Sequence, residues 1–195
     1  NKIINTGNPI REQIEESSCT REEALNYFKL AADKKTILIT GGSLGAATIN
    51  RSILACLDDL IKRNVQMIWQ VGKIYFDAYK GYHNPEKGIL VFPFIERMDL
   101  AFAVADLIIS RAGALTLSEI QILRKASILI PSPNVAEDHQ TVNAKYMSTK
   151  DAAILVSDRE AEIKLGETIL QLIHQDNKLI QIGENAGALA KPKAA

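Results

Sequence analysis

Residues Ile37–Asn50 read ILITGGSLGAATIN: a continuous apolar run, a turn holding Gly41, Gly42 and Gly45, then a helical pattern. Glycine admits positive φ and lets another group approach the main chain closely. The helix that follows opens with unpaired N–H groups and a partial positive charge, so this kind of turn suits a phosphate. The spacing is not GxxxxGK[ST], which removes the P-loop reading, and it is not GxGxxG, which weakens the dinucleotide reading. Ser43 is placed to cap the helix, to donate its hydroxyl to a phosphate, or to do both. The alternative is a tight strand-to-helix turn with no ligand.

The same alternation continues along the chain. Strands are predicted at Thr36–Thr40, Val65–Val71, Ile89–Phe92, Asp106–Ser110, Ser127–Ile130 and Ala152–Val156. Most are continuously apolar, as strands buried on both faces of a parallel sheet are. Helices are predicted at Ala46–Lys62, Leu115–Leu123, Asp138–Ser148 and Arg159–Ile173, with apolar residues recurring at helical spacing. Thr20 and Glu23 form a capping box that starts an earlier helix near Arg21. A last helix is expected over Asn177–Leu189, where Leu179, Ile180, Ile182 and Leu189 make an apolar stripe. The fold class is α/β: a doubly wound, Rossmann-like parallel sheet with right-handed crossovers.

Composition narrows the function. The 195 residues suffice for one domain with a proper core. Lys+Arg and Asp+Glu balance at 23 each, so the basic excess of a non-specific nucleic-acid binder is missing and no nucleic-acid partner is expected. The two cysteines, Cys19 and Cys56, form no CxxC and suit a reducing compartment. No apolar run approaches the ~18 residues of a membrane span. His83, His139 and His174 are scattered, no Cys/His/Asp cluster has ligand spacing, and neither a metal nor a cofactor is expected. The chain opens on Asn rather than Met, which suggests a piece of a longer protein.

Ligands of such sheets bind beyond the carboxyl ends of the strands. Four loops there are unusual: GGSLGA, PFIERMD, SRAGALTLSE and PSPNVAEDHQTVN. In the third, Arg111 offers a guanidinium suited to phosphate, or a surface ion pair. Glu119 is either a carboxylate for ribose hydroxyls or the capping partner of Thr116 in T-x-x-E. In the fourth, Asp138 is a plausible N-cap, and Gln140 and Thr141 then face the rim, able to meet sugar hydroxyls or simply solvent. His139 as a general base lacks an evident carboxylate to orient it. An NAD site would need an acidic residue about 20 positions after the glycine loop, at the end of the second strand, and that strand ends IWQVGK with no carboxylate until Asp77.

Taken together, GNPIR (Gly7–Arg11), GGSLGA (Gly41–Ala46), SRAGALTLSE (Ser110–Glu119) and EDHQTVNA (Glu137–Ala144) occur in an order and spacing that resembles the carboxy-terminal half of the MurG family. These are inverting GT-B glycosyltransferases that move N-acetylglucosamine from UDP-GlcNAc to lipid I, forming lipid II in peptidoglycan synthesis on the cytoplasmic side of the bacterial membrane. The resemblance covers nearly all of the chain from Gly7.

The resemblance implies that residues 1–195 are a single donor-binding domain of a two-domain enzyme, with the 175–195 tail helix packing on the missing half. Arg11, Gly42 and Ser43 would engage the diphosphate region. Phe94 and Ile95 would form the uracil pocket, with main-chain groups of Ile95 reading the base edge. Arg111 and Ala114 would line the nucleotide site, Glu119 would bind the ribose diol, and Gln140 with Thr141 would meet the sugar. No catalytic base is expected in this chain: the base, the lipid I acceptor site and the membrane contact would all belong to the missing half. Two departures, Leu44 where the family often has Gln and Thr141 where it often has a second Gln, fall on the sugar side. Alternatives are a stand-alone donor-binding subunit with a separate acceptor-binding partner, or a GT-B enzyme using another nucleotide sugar.

Overall fold

The computed structural model describes residues 19–133 and 139–190. Helix α1 (Arg21–Phe28) opens where the capping box placed it. The Thr20 side chain accepts from Glu23 N, and the Glu23 carboxylate accepts from Thr20 N. Six strands follow: β1 (Lys35–Thr40), β2 (Val65–Gln70), β3 (Ile89–Phe92), β4 (Leu107–Ser110), β5 (Ser127–Leu129) and β6 (Ile154–Leu155). All pair in parallel, in the order β3-β2-β1-β4-β5-β6. The helices between them are α2 (Ala47–Lys62), the single turn α3 (Phe76–Tyr79), α4 (Met98–Val104), α5 (Ala114–Ile122), α6 (His139–Thr149), α7 (Ala161–Leu172) and α8 (Asp176–Ala188). The doubly wound reading therefore holds. Among the described residues, no helix is long and apolar enough to cross a membrane.

Two elements were not foreseen. Helix α4 lies in MDLAFAV, where seven residues give too short a window for helical periodicity to stand out from a continuous apolar run. Six of the seven are buried, so packing rather than an amphipathic stripe holds it. The turn α3 rests on Tyr79, whose ring stands edge-on to Trp69 at 5.3 Å between centroids.

Side chains alternate across the sheet and divide the core in two. Ile37, Ile39, Met67, Trp69 and Ile109 pack under α2 and α7. Leu38, Ile68, Leu90 and Ile108 pack under α1, α4, α5 and α6 with Phe102, Ile120 and Met147. Trp69 donates its indole N–H to Asn50 Oδ1 at 3.0 Å, and Asn50 Nδ2 donates to Val71 O at 2.9 Å. That buried pair locks the first turn of α2 to the end of β2, so the helix start is held by the core beneath it. The tail helix α8 packs against α5, with Leu179, Ile182, Gly183 and Ala186 buried, while Ile180 is 62% exposed.

One partly buried lysine lies at the opposite end of the sheet from the unusual loops. Lys125, between α5 and β5, donates from Nζ to the carbonyls of Ala105 (2.9 Å) and Ala103 (3.3 Å) at the end of α4. Burial pulls its ammonium down to about 8, with the Asp106 carboxylate opposing and Arg21 assisting the fall. The folded chain thus loses this proton before the unfolded chain does. Between pH 8 and 10.5 the unfolded state binds more protons, and stability attributable to this group rises with pH. Burial pushes the Cys56 thiol up to about 11, which works in the opposite direction over part of that range. Comparison with Lys125→Met cancels the Cys56 effect. Urea unfolding of both chains should show the wild type gaining about 2–3 kcal/mol relative to the variant from pH 7 to pH 10.5; an unchanged difference would mean that Lys125 is not desolvated.

Candidate functional site

With the order β3-β2-β1-β4-β5-β6, the chain winds outward in opposite directions from β1 and from β4. The crevice between their carboxyl ends is where such sheets accept ligands. A cleft of about 480 Å³ opens there. Its walls are the loop Gly41–Ala46 after β1, the loop Arg111–Gly113 after β4, and the start of α6.

Each wall has a local cause. Gly42 and Gly45 adopt φ of +84° and +80°, and the turn closes with Gly45 N donating to Gly42 O at 3.1 Å. A Cβ on Gly45 would lie 2.1 Å from Val71 O, so the loop can press against the end of β2 only with glycine there. Neither helix start is closed by a side chain. The N-cap of α2 is Ala46 and that of α5 is Gly113, and neither makes a side-chain cap hydrogen bond. Two sets of first-turn N–H groups therefore face one cleft, each with the positive end of a helix dipole behind it.

Two readings of the sequence are corrected here. Ser43 lines the cleft but does not cap α2, because the helix begins four residues later, beyond the Gly45 turn. Thr116 does not cap α5 either. The helix has already started at Ala114, so Thr116 is inside it and T-x-x-E is not a capping box.

Of the residues singled out from the sequence, Gly42, Ser43, Arg111 and Gln140 line the cleft together. Arg111 is mostly buried, with Nη1 donating to Asp158 Oδ1, to Ile130 O (3.0 Å) and to Pro131 O (3.2 Å). Asp158 also accepts from Thr48 Oγ1 at 3.1 Å, so one carboxylate ties the β4 loop to the first turn of α2. The guanidinium is a strut whose charge is shared with Asp158 rather than a lone cation at the surface. Gln140 Oε1 accepts from Ser132 N at 2.9 Å, which orients its amide from the loop after β5. Thr141, next along α6, is half-buried and outside the cleft lining. Ala114 begins α5 between the lining residues Gly113 and Thr116. Glu119 is 1% exposed, one helical turn beyond Thr116 and on the same side of α5. Arg11 lies outside the described residues, as do Glu137 and Asp138. His139 is exposed at the start of α6.

Phe94 and Ile95 sit on the neighbouring β3–α4 loop. Phe94 is 44% exposed while Ile95 is buried, and Ile95 N donates to Gln70 Oε1 at 2.8 Å. The far end of this loop is anchored where Arg97 grips Asp99 with two hydrogen bonds, 3.0 and 2.7 Å. That guanidinium, aided by a hydrogen bond from Cys19, holds the Asp99 carboxyl below its usual range.

Sequence reasoning missed Asp158, Gln70 and Tyr75. Asp158 and Tyr75 line the cleft from the β6 and β2 loops; Asp158 fell in the short gap between the predicted strand Ala152–Val156 and the helix predicted from Arg159, which in fact begins at Ala161. Gln70 had one available signal: a polar residue directly after the apolar run Met67–Trp69. No group of three or more potential metal ligands gathers among the described residues.

The chain resembles known proteins over its whole length. A Parabacteroides distasonis protein named UDP-N-acetylglucosamine--N-acetylmuramyl-(pentapeptide) pyrophosphoryl-undecaprenol N-acetylglucosamine transferase is 47% identical over 196 residues, covering all of this chain and 53% of the relative. A Bacteroides fragilis protein of the same name is 50% identical over 201 residues, covering all of this chain and 52% of the relative. The chain thus spans about half the length of the curated relatives it matches. Among solved structures, Acinetobacter baumannii MurG superposes with a TM-score of 0.74 at 32% identity, over 90% of this chain and 50% of that one. The sequence pattern of the Glycosyltransferase family 28 C-terminal domain matches residues 36–195, and the chain belongs to that family.

Proposed function

We propose that the cleft holds the diphosphate of UDP-N-acetylglucosamine, and that this chain is the donor half of an inverting N-acetylglucosaminyltransferase that makes lipid II from lipid I. The observation that carries the reading is the pair of uncapped helix starts, at Ala46 and Gly113, converging on one cleft. No Cβ stands above Gly42 or Gly113, and a Cβ built on either would meet nothing within 4 Å, so phosphate oxygens have room to reach the main chain. The names of the 47–50% identical relatives support this sugar nucleotide and this acceptor.

In this reading Ser43 and the first-turn N–H groups of α2 and α5 receive the diphosphate, with Arg11 completing that subsite. Arg111 and Ala114 border the nucleotide. Phe94 and Ile95 bound the uracil, with the Ile95 carbonyl left for the base edge because its N–H already donates to Gln70. Glu119 takes the ribose diol. Gln140, its oxygen held by Ser132 N–H, turns N–H donors toward the sugar, with Thr141 beside it.

The chemistry follows from where charge grows. As the glycosidic bond breaks, negative charge develops on the departing UDP, and donors already aimed at that position stabilise the transition state without having to reorganise. An acceptor hydroxyl attacks the opposite face of the anomeric carbon and inverts it. The proton goes to a base on the amino-terminal half, so this chain by itself binds donor and does not transfer. The outer side of α8, with Ile180, is left for that other half. The whole enzyme sits peripherally on the cytoplasmic side of the membrane and meets its lipid acceptor through the amino-terminal half.

Two measurements test the site. Calorimetry with UDP-GlcNAc should show Glu119→Gln and Glu119→Ala losing on the order of 1–3 kcal/mol, the range for hydrogen bonds to a charged group. Unchanged affinity would remove Glu119 from the ribose subsite. UDP should bind the unsubstituted chain about tenfold or more tightly than UMP, because only UDP carries a second phosphate to the helix ends. Equal binding of the two would remove the glycine loop from the phosphate subsite.

A further inference from the structure

Gln70 is the last residue of β2 and only 2% exposed, yet its side chain touches the cleft's glycine loop and the neighbouring β3–α4 loop at once. Oε1 accepts from Ile95 N at 2.8 Å. Nε2 donates to Gly42 O at 2.9 Å and to Thr40 Oγ1 at 3.2 Å. The orientation of this amide is chemically forced: a main-chain N–H only donates and a carbonyl only accepts, so the oxygen must face Ile95 and the nitrogen must face Gly42. Thr40 Oγ1 in turn accepts from Gly42 N at 3.2 Å, so Gly42 is held at both its N–H and its carbonyl. Strand register explains the grouping. Thr40 pairs with Gln70 across β1 and β2, putting both side chains on one face at the last rung of the sheet.

We infer that Gln70 is a positioning residue that couples the base-binding loop to the phosphate-binding loop. The inference rests on the donor-site reading given above. A planar amide bonded at both ends is a short rigid link, and its burial leaves no water to take over either bond. Displacement of Ile95 by an arriving base is thereby passed to Gly42, whose carbonyl and N–H set the path of the glycine loop. Engagement of the base and closure of the loop on the diphosphate become one event. Gln70 contacts neither reacting group and is not catalytic.

The test separates the two ends of the link. Gln70→Glu keeps an acceptor for Ile95 N–H but sets a carboxylate oxygen against the Gly42 carbonyl. Titration of the 195-residue chain should show this variant losing about tenfold or more in UDP affinity, with uridine affinity changed less than about twofold. A merely structural role would weaken both ligands alike, and that result overturns the inference. NMR of the unsubstituted chain supplies a check that does not depend on the variant folding: saturation with uridine should shift the Gly42 amide resonance along with that of Ile95. A Gly42 resonance that stays still also overturns it. If the unsubstituted chain binds no UDP, the donor-site reading falls and the inference with it. If it binds UDP but Gln70→Glu behaves as wild type toward both ligands, only the inference falls.

Discussion

The close approach of two main-chain segments governs this site. The turn at Gly45 lies directly against the end of β2, so close that a Cβ on Gly45 would overlap Val71 O, and one on Gly72 would stand 2.5 Å from Gly45 Cα. The contact draws the glycine loop down onto the strand ends and leaves the start of α2 aimed across the crevice rather than out into solvent. Asn50 reinforces it from below by bonding Trp69 and Val71, and Gln70 reinforces it from the other face of the sheet by bonding Gly42. The two sides of the core thus hold the same turn from opposite directions.

Around that turn, the polar groups of the cleft divide into those that hold the loops and those left for a ligand. Asp158 joins Arg111 and Thr48, so the loops after β1, β4 and β6 are tied through one carboxylate. Ser132 N engages the oxygen of Gln140. What these struts leave over is mainly main-chain N–H at two helix starts, together with hydroxyls and amides. Such a set suits an anion whose charge increases during reaction, because the donors are fixed before the charge appears.

Much of the fold was legible in the residues. Continuous apolar runs at Ile37–Ile39, Met67–Trp69 and Leu107–Ile109 mark strands buried on both faces, and the Thr20–Glu23 box placed the first helix correctly. Helix α4 escaped notice because its residues are apolar nearly all round, so that no stripe distinguishes it from a strand. The cap assignments at Ser43 and Thr116 failed for a different reason. Cap residues are recognised by chemical type, but a helix start is set by backbone torsion: the turn through Gly42 and Gly45 delays α2 to Ala47, and extended Gly113 is already the N-cap of α5.

The linear order of residues determined by itself that this is a parallel α/β sheet, that its strand-to-helix loops carry the polar chemistry, and that glycines at 41, 42 and 45 free one of those turns for close contact. These are local matters, set by periodicity and by backbone freedom over a few positions. The tertiary structure alone decided that β1 and β4 lie side by side, that Arg111 spends its charge on Asp158, and that Gln70 reaches Ile95 and Gly42 together. Each of these joins residues 25 to 70 positions apart, and strand pairing brings them within hydrogen-bond range without leaving any mark on the spacing along the chain.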